Sequence, residues 1–384
     1  MKAAVLGYGT VGAGVYSMLS DAPGMEAGPV LVRPGKAVES FMVSDAALIF
    51  GDPTVDAVVE TLGGLDPAYS YGMRALEAGK HFITANKAMV AAHGLELAAL
   101  AREKGAAFLF SAACGGGVPF LHNLALSAET DRIEAVSGIL NGTTNYMLDA
   151  MQRRGLSYGD ALREAQSLGY AESDPTADVS GLDALRKMQL ACAVAFGVLP
   201  QSGMLCEGME HFTAADVEDI QSRGLVCRLL ARGSRAGESV SAYVEPVLFP
   251  RAAPESSVFT NNNMARYTGK RCGSIVLMGQ GAGRFPTASA VLRDLSAAQQ
   301  GARSMFPENC HAAEADNREA VHSYYIRTGG FAAVRLPLRS VLAQGEVVRA
   351  VTEPMSAEKM HALAQNIRKD GNDLFFAALE EELC

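Results

Sequence analysis

Along the first third of the chain, short apolar runs alternate with longer stretches that carry apolar residues on one helical face. Ala3–Leu6, Pro29–Val32, Asp56–Glu60, His81–Thr84 and Ala107–Phe110 have strand length and composition. Ala13–Leu19, Tyr69–Ala78 and Ala91–Lys104 instead repeat their apolar positions at helical spacing. Apolar strands that alternate with helices predict an α/β fold of doubly wound type, its parallel sheet covered on both faces.

From Arg132 the pattern changes. Ile133–Ile139 reads as a strand and Tyr146–Gln152 as a helix. A second helix runs from Val179 through Leu182, Leu185, Met188 and Leu190 into Ala191–Phe196. Thr287–Gln299 is a helix expected to return to the first domain. In the tail, Ser323–Thr328, Glu346–Val351 and Leu374–Leu379 read as strands and Ser356–Ile367 as a helix. The organisation expected is a first domain of residues 1–130 plus 285–305, an inserted α+β domain of 131–284, and a small α+β region of 306–384.

The first strand runs into Gly7-Tyr8-Gly9-Thr10-Val11-Gly12. This G-x-G-x-x-G follows a strand and opens a helix, the context a dinucleotide site requires. Gly7 permits the tight turn, Gly9 lets the backbone approach a pyrophosphate, and Gly12 lets helix and strand pack. Thr10 and Val11 belong to the same loop and are expected at the cofactor, and the N-terminus of the helix that follows offers free N–H groups and a positive dipole end to the phosphates. After the second strand come Arg33 and Lys36 rather than an acid. Two cations suit a ribose 2′-phosphate, which favours NADP over NAD; the alternative is that Arg33 simply solvates a loop. Ligands of such sheets bind beyond the carboxyl ends of the strands, where Gly63, Asn86-Lys87 and Gly115–Gly117 fall.

Tyr170–Lys187 carries four carboxylates, Glu172, Asp174, Asp178 and Asp183, and one lysine among apolar neighbours. Asp183 and Lys187 stand at i and i+4 on one helix face. That spacing fits a weak surface ion pair, or a proton donor at the mouth of a buried helix. Hydroxyls and backbone N–H groups of the segment 140–146, at another helix start, could hold a carboxylate, or a threonine there could simply cap the helix.

Composition narrows the reading. The 384 residues are 49% hydrophobic and 20% charged, ordinary for a globular chain with more than one domain. A net charge of −9 with no Lys/Arg run argues against nucleic acid as a partner. Seven scattered cysteines, without C-x-x-C, suit a reducing cytoplasm, and no Cys/His spacing suggests a metal. The terminal Cys384 could cross-link two subunits, but a free thiol is expected. The N-terminal apolar run breaks into glycines too soon for a secretory signal, and no run reaches membrane-spanning length. A cytoplasmic protein without membrane partners is expected.

G-I-L-N-G-T-T-N-Y (138–146), G-Y-A-E-S-D-P-T-A-D-V-S-G-L-D-A-L-R-K (169–187), T-A-N-K (84–87) and G-A-G-R-F-P-T-A-S (281–289) together resemble the homoserine dehydrogenase family. The resemblance covers residues 1 to about 305, in order, and its central block is close to diagnostic. It implies hydride exchange between L-homoserine and L-aspartate 4-semialdehyde with a nicotinamide cofactor. It implies that Lys187 and Lys87 flank the reacting carbon and that Asp183 orients Lys187. Glu172 and Asp178 would bind the substrate ammonium, Gly142, Thr143 and Tyr170 would shape the pocket, and Gly281 and Gly283 would approach the cofactor. Asp174 is left to hold the turn around Pro175. A homodimer formed through the middle-domain sheet is also implied.

The chain departs from the family in places. Members that bind a monovalent cation have a glutamate where Ser111 stands, which leaves only backbone carbonyls for sodium, so no cation is counted on. No aspartokinase module precedes the first strand, so a monofunctional enzyme is expected. The tail resembles a shortened ACT regulatory domain with little room for a further strand; threonine sensing and loss of feedback remain open. Two rival readings are another nucleotide-dependent oxidoreductase of a small amino acid or aldehyde, and a non-catalytic NADP-binding sensor. Retention of Lys87, Asp183 and Lys187 argues against the sensor.

Overall fold

The structure is a computed structural model and describes residues 1–380, so Cys384 lies outside the described residues. Two compact units are formed. The first comprises Met1–Ile133, Gln189–Leu199 and Gly269–His311; the second comprises Glu134–Met188, Pro200–Thr268 and the chain from Ala312 onward. Among the described residues, no helix is long and apolar enough to cross a membrane.

The first unit is built on strands β1 (Lys2–Leu6), β2 (Glu26–Leu31), β3 (Met42–Val43), β4 (Ala57–Glu60), β5 (His81–Thr84) and β6 (Phe108–Leu109). They pair in parallel in the order β3-β2-β1-β4-β5-β6, the doubly wound arrangement the apolar runs predict. Ala4, Val5, Leu6, Val58, Val59, Phe82 and Ile83 are fully buried, as strands covered on both faces require. β2 begins three residues before the expected Pro29. Ala3 faces Ala27 and Val5 faces Val30, so Gly28-Pro29 bulge opposite Ala4. The bulge accommodates a residue without an N–H inside the sheet.

Four helices begin about one turn earlier than the apolar periodicity suggests: Thr10–Leu19, Lys87–Lys104, Gly142–Arg154 and Arg284–Gln299. Two of these starts are fixed by asparagine caps, the Asn86 side chain accepting from Met89 N–H and that of Asn141 from Thr144 N–H. Lys87 is therefore the first residue of a helix rather than part of a loop.

In the second unit, strand Asn262–Gly269 lies beside Ile133–Ile139, followed by Leu225–Ala236 and Ser239–Pro250. The last two form a long antiparallel hairpin closed by the two-residue turn Gly237-Glu238, which carries Gly237 at φ +62°. Beyond Ser239–Pro250 the same sheet continues through Leu374–Leu379, Tyr324–Gly329, Val347–Thr352 and Leu338–Ala343. In chain order, these last four strands with the one-turn helix Gly330–Ala333 and the helix Ala357–Lys369 make a βαββαβ unit of ferredoxin-like kind. Leu338–Ala343 is the strand for which the sequence left little room. It is an edge strand with Arg339, Ser340 and Val341 exposed, so no buried face marks it in the sequence. Val247, Phe249, Tyr324, Ile326, Met360, Ile367 and Phe376 share one core across this sheet.

A buried ion pair ties that region together. Asp216 is wholly inaccessible; its Oδ1 accepts from Arg327 Nε at 2.7 Å, and its Oδ2 takes the Thr213 N–H and hydroxyl of a capping box. Arg327 also pairs with Asp373 and donates to the His211 carbonyl. Removing one partner leaves a buried charge unpaired. Asp216→Ala is therefore expected to lower unfolding free energy by about 3–5 kcal/mol in denaturant titrations, and a loss below about 1 kcal/mol would show the pair to be dispensable.

In the first unit, burial pushes the Asp294 carboxyl up to about 7. The unfolded carboxyl releases its proton near about 4, so the folded chain holds the extra proton between these values. Stability therefore falls as pH rises through that window. Asp294→Asn is expected to flatten this slope in melting curves taken from about pH 4 to about pH 7.

Candidate active site

In the first unit, the loop after β1 has the form of a dinucleotide cradle. The helix that follows starts at Thr10, with Gly9 as its N-cap and the Gly9 carbonyl accepting from Ala13 N–H at 2.9 Å. A Cβ on Gly12 would lie 2.1 Å from the Gly7 carbonyl oxygen, so only glycine lets helix and loop meet. Space is open around Gly9, where a phosphate would approach. These residues fit a dinucleotide.

Arg33 and Lys36 line a cleft of about 670 Å³ with Tyr8, Gly9, Phe41 and Met42. Tyr16 and Phe41 stack at 4.2 Å, and Tyr8 closes on both rings. Glu39 lines the same cleft, an acid that the sequence reading passed over because it follows the second strand by several residues.

The carboxyl ends of β4 and β5 are tied by Glu60, which sequence reasoning also missed. It is fully buried, accepts from Thr84 Oγ1 at 2.5 Å, and takes the N–H groups of Leu62 and Gly63. Asn86 Nδ2 donates to the Gly64 carbonyl at 2.6 Å while its other amide atom caps the Lys87 helix. Gly63, Asn86 and Lys87 thus lie at adjacent strand ends. Gly283, at φ +118°, caps the helix Arg284–Gln299, and the Gly281 carbonyl lies within 2.5 Å of where a Gly116 Cβ would be.

In the second unit, the acidic block converges on the start of helix Gly142–Arg154. Lys187 Nζ lies 2.7 Å from Asp183 Oδ2 and donates to the Leu140 carbonyl at 2.6 Å. Both side chains are 12% exposed, so this is no solvated surface pair. Asn141 Nδ2 donates to Asp178 at 2.7 Å and to Asp183 at 3.0 Å. Thr143 Oγ1 lies 2.5 Å from the Tyr170 carbonyl and 3.1 Å from Asp178 Oδ2. Tyr170 packs edge-on against Tyr146 and is partly exposed. Glu172 is exposed, and Asp174 accepts from the Thr176 N–H and hydroxyl, which holds the turn at Pro175. Gly142 packs where a Cβ would meet the Asn261 carbonyl at 2.7 Å.

Asn141 is the residue in this network that the sequence reading left out of the site. Its neighbours hinted at it: an Asn before Gly-Thr-Thr is an N-cap signal. Its bonds to two carboxylates 37 and 42 residues away are visible only in the fold.

A doubly wound nucleotide domain and a buried acid–lysine pair define a nicotinamide-dependent oxidoreductase. The homoserine dehydrogenase NAD-binding domain model matches residues 7–111, and the homoserine dehydrogenase model matches 119–296. Curated homoserine dehydrogenases of Corynebacterium glutamicum and Synechocystis are 39% and 38% identical over 76% and 77% of this chain, and 70% and 72% of theirs. The crystal structure of a homoserine dehydrogenase from Thiobacillus denitrificans superposes with a TM-score of 0.88 at 29% identity, over 99% of this chain and 98% of that one. The chain belongs to the homoserine dehydrogenase family, NAD(P)-dependent oxidoreductases acting on a CH–OH group.

The Asn141 bridge is testable without losing the cap. Asn141→Ser keeps an N-cap side chain but cannot hold both acids, so turnover should fall at least about tenfold while the melting temperature stays close to wild type. Unchanged turnover in this variant would show that the bridge does not order the acids.

Proposed function

We propose that this chain interconverts L-homoserine and L-aspartate 4-semialdehyde, with Lys187 as proton donor and acceptor. The observation that carries this reading is the Lys187–Asp183 pair held at 2.7 Å against the Leu140 carbonyl. NADPH, when bound, supplies the hydride to the aldehyde carbon. The forming alkoxide then needs a proton, and a positioned acid contributes typically ~10²–10⁴-fold. Lys187 gives that proton in reduction and takes it back in oxidation. Asp183 fixes the direction of the ammonium, and Asn141 fixes Asp183. Lys87 is the second lysine assigned to the reaction.

Glu172 and Asp178 are assigned to the substrate ammonium, with Gly142, Thr143 and Tyr170 around the remainder of the substrate. Asp178 accepts from Asn141 Nδ2 and lies 3.1 Å from the Thr143 hydroxyl, whose one proton it shares with the Tyr170 carbonyl. Gly7, Gly9, Thr10, Val11 and Gly12 are assigned to the pyrophosphate; Gly63, Asn86, Gly281 and Gly283 to other parts of the cofactor. Arg33 and Lys36 favour NADP over NAD through the 2′-phosphate, although Glu39 in the same cleft would suit a free ribose.

The enzyme is read as a cytoplasmic homodimer of the threonine and methionine branch. The βαββαβ order of its tail supports reading residues 306–384 as a shortened ACT-like region.

The direct assay adds aspartate semialdehyde and follows oxidation of NADPH and NADH. Arg33→Ala with Lys36→Ala is expected to raise the KM for NADPH about tenfold or more and leave that for NADH nearly unchanged. No aldehyde-dependent oxidation of either cofactor by the wild-type enzyme would overturn the reading.

A further inference from the structure

Asp294 sits in the helix Arg284–Gln299 and is 1% exposed. Its Oδ2 accepts the Ser111 N–H at 2.8 Å, and its Oδ1 lies 2.5 Å from the Ser111 hydroxyl. That hydroxyl is also 3.4 Å from the Ala290 carbonyl. Ser111 is itself buried and opens the segment that leads from β6 into Gly115-Gly116-Gly117. The adjacent Arg293 reaches the other end of that segment, donating to the Gly117 carbonyl at 3.3 Å, and the Gly117 N–H bonds to the Gln280 carbonyl at 2.9 Å. Two consecutive residues of one helix thus hold both ends of a loop at the carboxyl edge of the nucleotide sheet.

We infer that Asp294 is a positioning residue for hydride transfer, setting through Ser111 where the loop 111–117 stands against the bound dinucleotide. The inference rests on the function proposed above and on the expectation that Gly115–Gly117 fall in the ligand crevice beyond the carboxyl ends of the strands.

A buried carboxyl is costly to bury and is not needed merely to fill a core. Here its two oxygens meet the two donors of one residue, so the geometry is specific to Ser111. The loop has little freedom to move in compensation, since a Cβ on Gly116 would come within 2.5 Å of the Gly281 carbonyl oxygen. Reaction geometry is sensitive on this scale: a displacement of about 1 Å at a distance from the chemistry can cost about 10²-fold.

The protonation state of Asp294 changes how it holds Ser111. Its carboxyl is pushed up to about 7 by burial, against the Ser111 hydroxyl and amide and the Arg293 guanidinium, which pull it down. His122, on the helix Phe120–Thr130, faces the same Arg293 and is held below the usual imidazole range by burial and by that charge. When neutral, Asp294 can donate to the Ser111 hydroxyl, which turns its own proton to Ala290. When ionised, it draws both Ser111 donors with charge-assisted bonds, which are the stronger. The loop is therefore held more tightly as pH rises through about 7.

The test uses the full-length enzyme and the variants Asp294→Asn and Ser111→Ala, with Lys187→Ala alongside. Steady-state rates with NADPH and aspartate semialdehyde are measured from about pH 6 to about pH 9, and melting temperatures are recorded in parallel. The expected result in Asp294→Asn and in Ser111→Ala is a fall in kcat of about tenfold or more, together with a rise of about tenfold in the KM for NADPH and a KM for the aldehyde changed less than about twofold. In the wild type, kcat/KM for NADPH should rise through about pH 7, and Asp294→Asn should lose that limb. Wild-type kinetics and pH profile in both variants would overturn the inference, whatever the melting temperatures. If Asp294→Asn does not fold, Ser111→Ala decides with the same KM comparison. Normal kinetics at position 294 beside an inactive Lys187→Ala would sink this inference alone; an active Lys187→Ala would remove the reading on which it rests.

Discussion

An ammonium group that is nearly out of water must be paired, and the second unit is arranged around meeting that requirement for Lys187. Coulomb attraction to Asp183 is not sufficient by itself, because burying the pair costs desolvation that only further hydrogen bonds offset. The Leu140 carbonyl accepts a hydrogen bond from the ammonium, and Asn141 Nδ2 donates to Asp183 and to Asp178 together. The same Asn141 caps helix Gly142–Arg154 through its amide oxygen. One side chain therefore fixes the strand-to-helix junction and the carboxylate that pairs with the lysine. A lysine held in this way has a defined direction for its proton, which a solvated surface lysine has not.

Much of the architecture could be read from the chain. The order of strands and helices in the nucleotide domain followed from apolar runs of strand length separated by amphipathic stretches. The i, i+4 spacing of Asp183 and Lys187 put them on one helix face, where they meet at 2.7 Å. Helix starts were misplaced in a consistent way: the apolar pattern put them at Ala13, Ala91, Tyr146 and Thr287, whereas the helices begin at Thr10, Lys87, Gly142 and Arg284. The first turn is where free N–H groups can meet a ligand. It carries Thr10-Val11-Gly12, Lys87 or Gly142-Thr143-Thr144 rather than a buried apolar stripe, so periodicity detects each helix one turn late.

What the sequence hid was long-range or lacked a buried face. Glu60 reads as the polar end of a strand, yet it is fully buried and joins β4, β5 and the Leu62-Gly63 turn. The serine at position 111 looked only like the loss of a cation-binding glutamate. Its partner, Asp294, lies 183 residues away on a helix that returns late in the chain to the first unit. Edge strand Leu338–Ala343 escaped notice because its exposed side chains carry no core pattern.

The central claim is that Lys187, directed by Asp183, supplies the proton while other groups carry the cofactor. Single-turnover reduction of aspartate semialdehyde by Lys187→Ala, with NADPH binding measured on the same sample, tests it most directly. The account predicts that NADPH binds with near-wild-type affinity while the rate of cofactor oxidation falls by about 10²-fold or more. Oxidation at a rate near that of the wild type would contradict it.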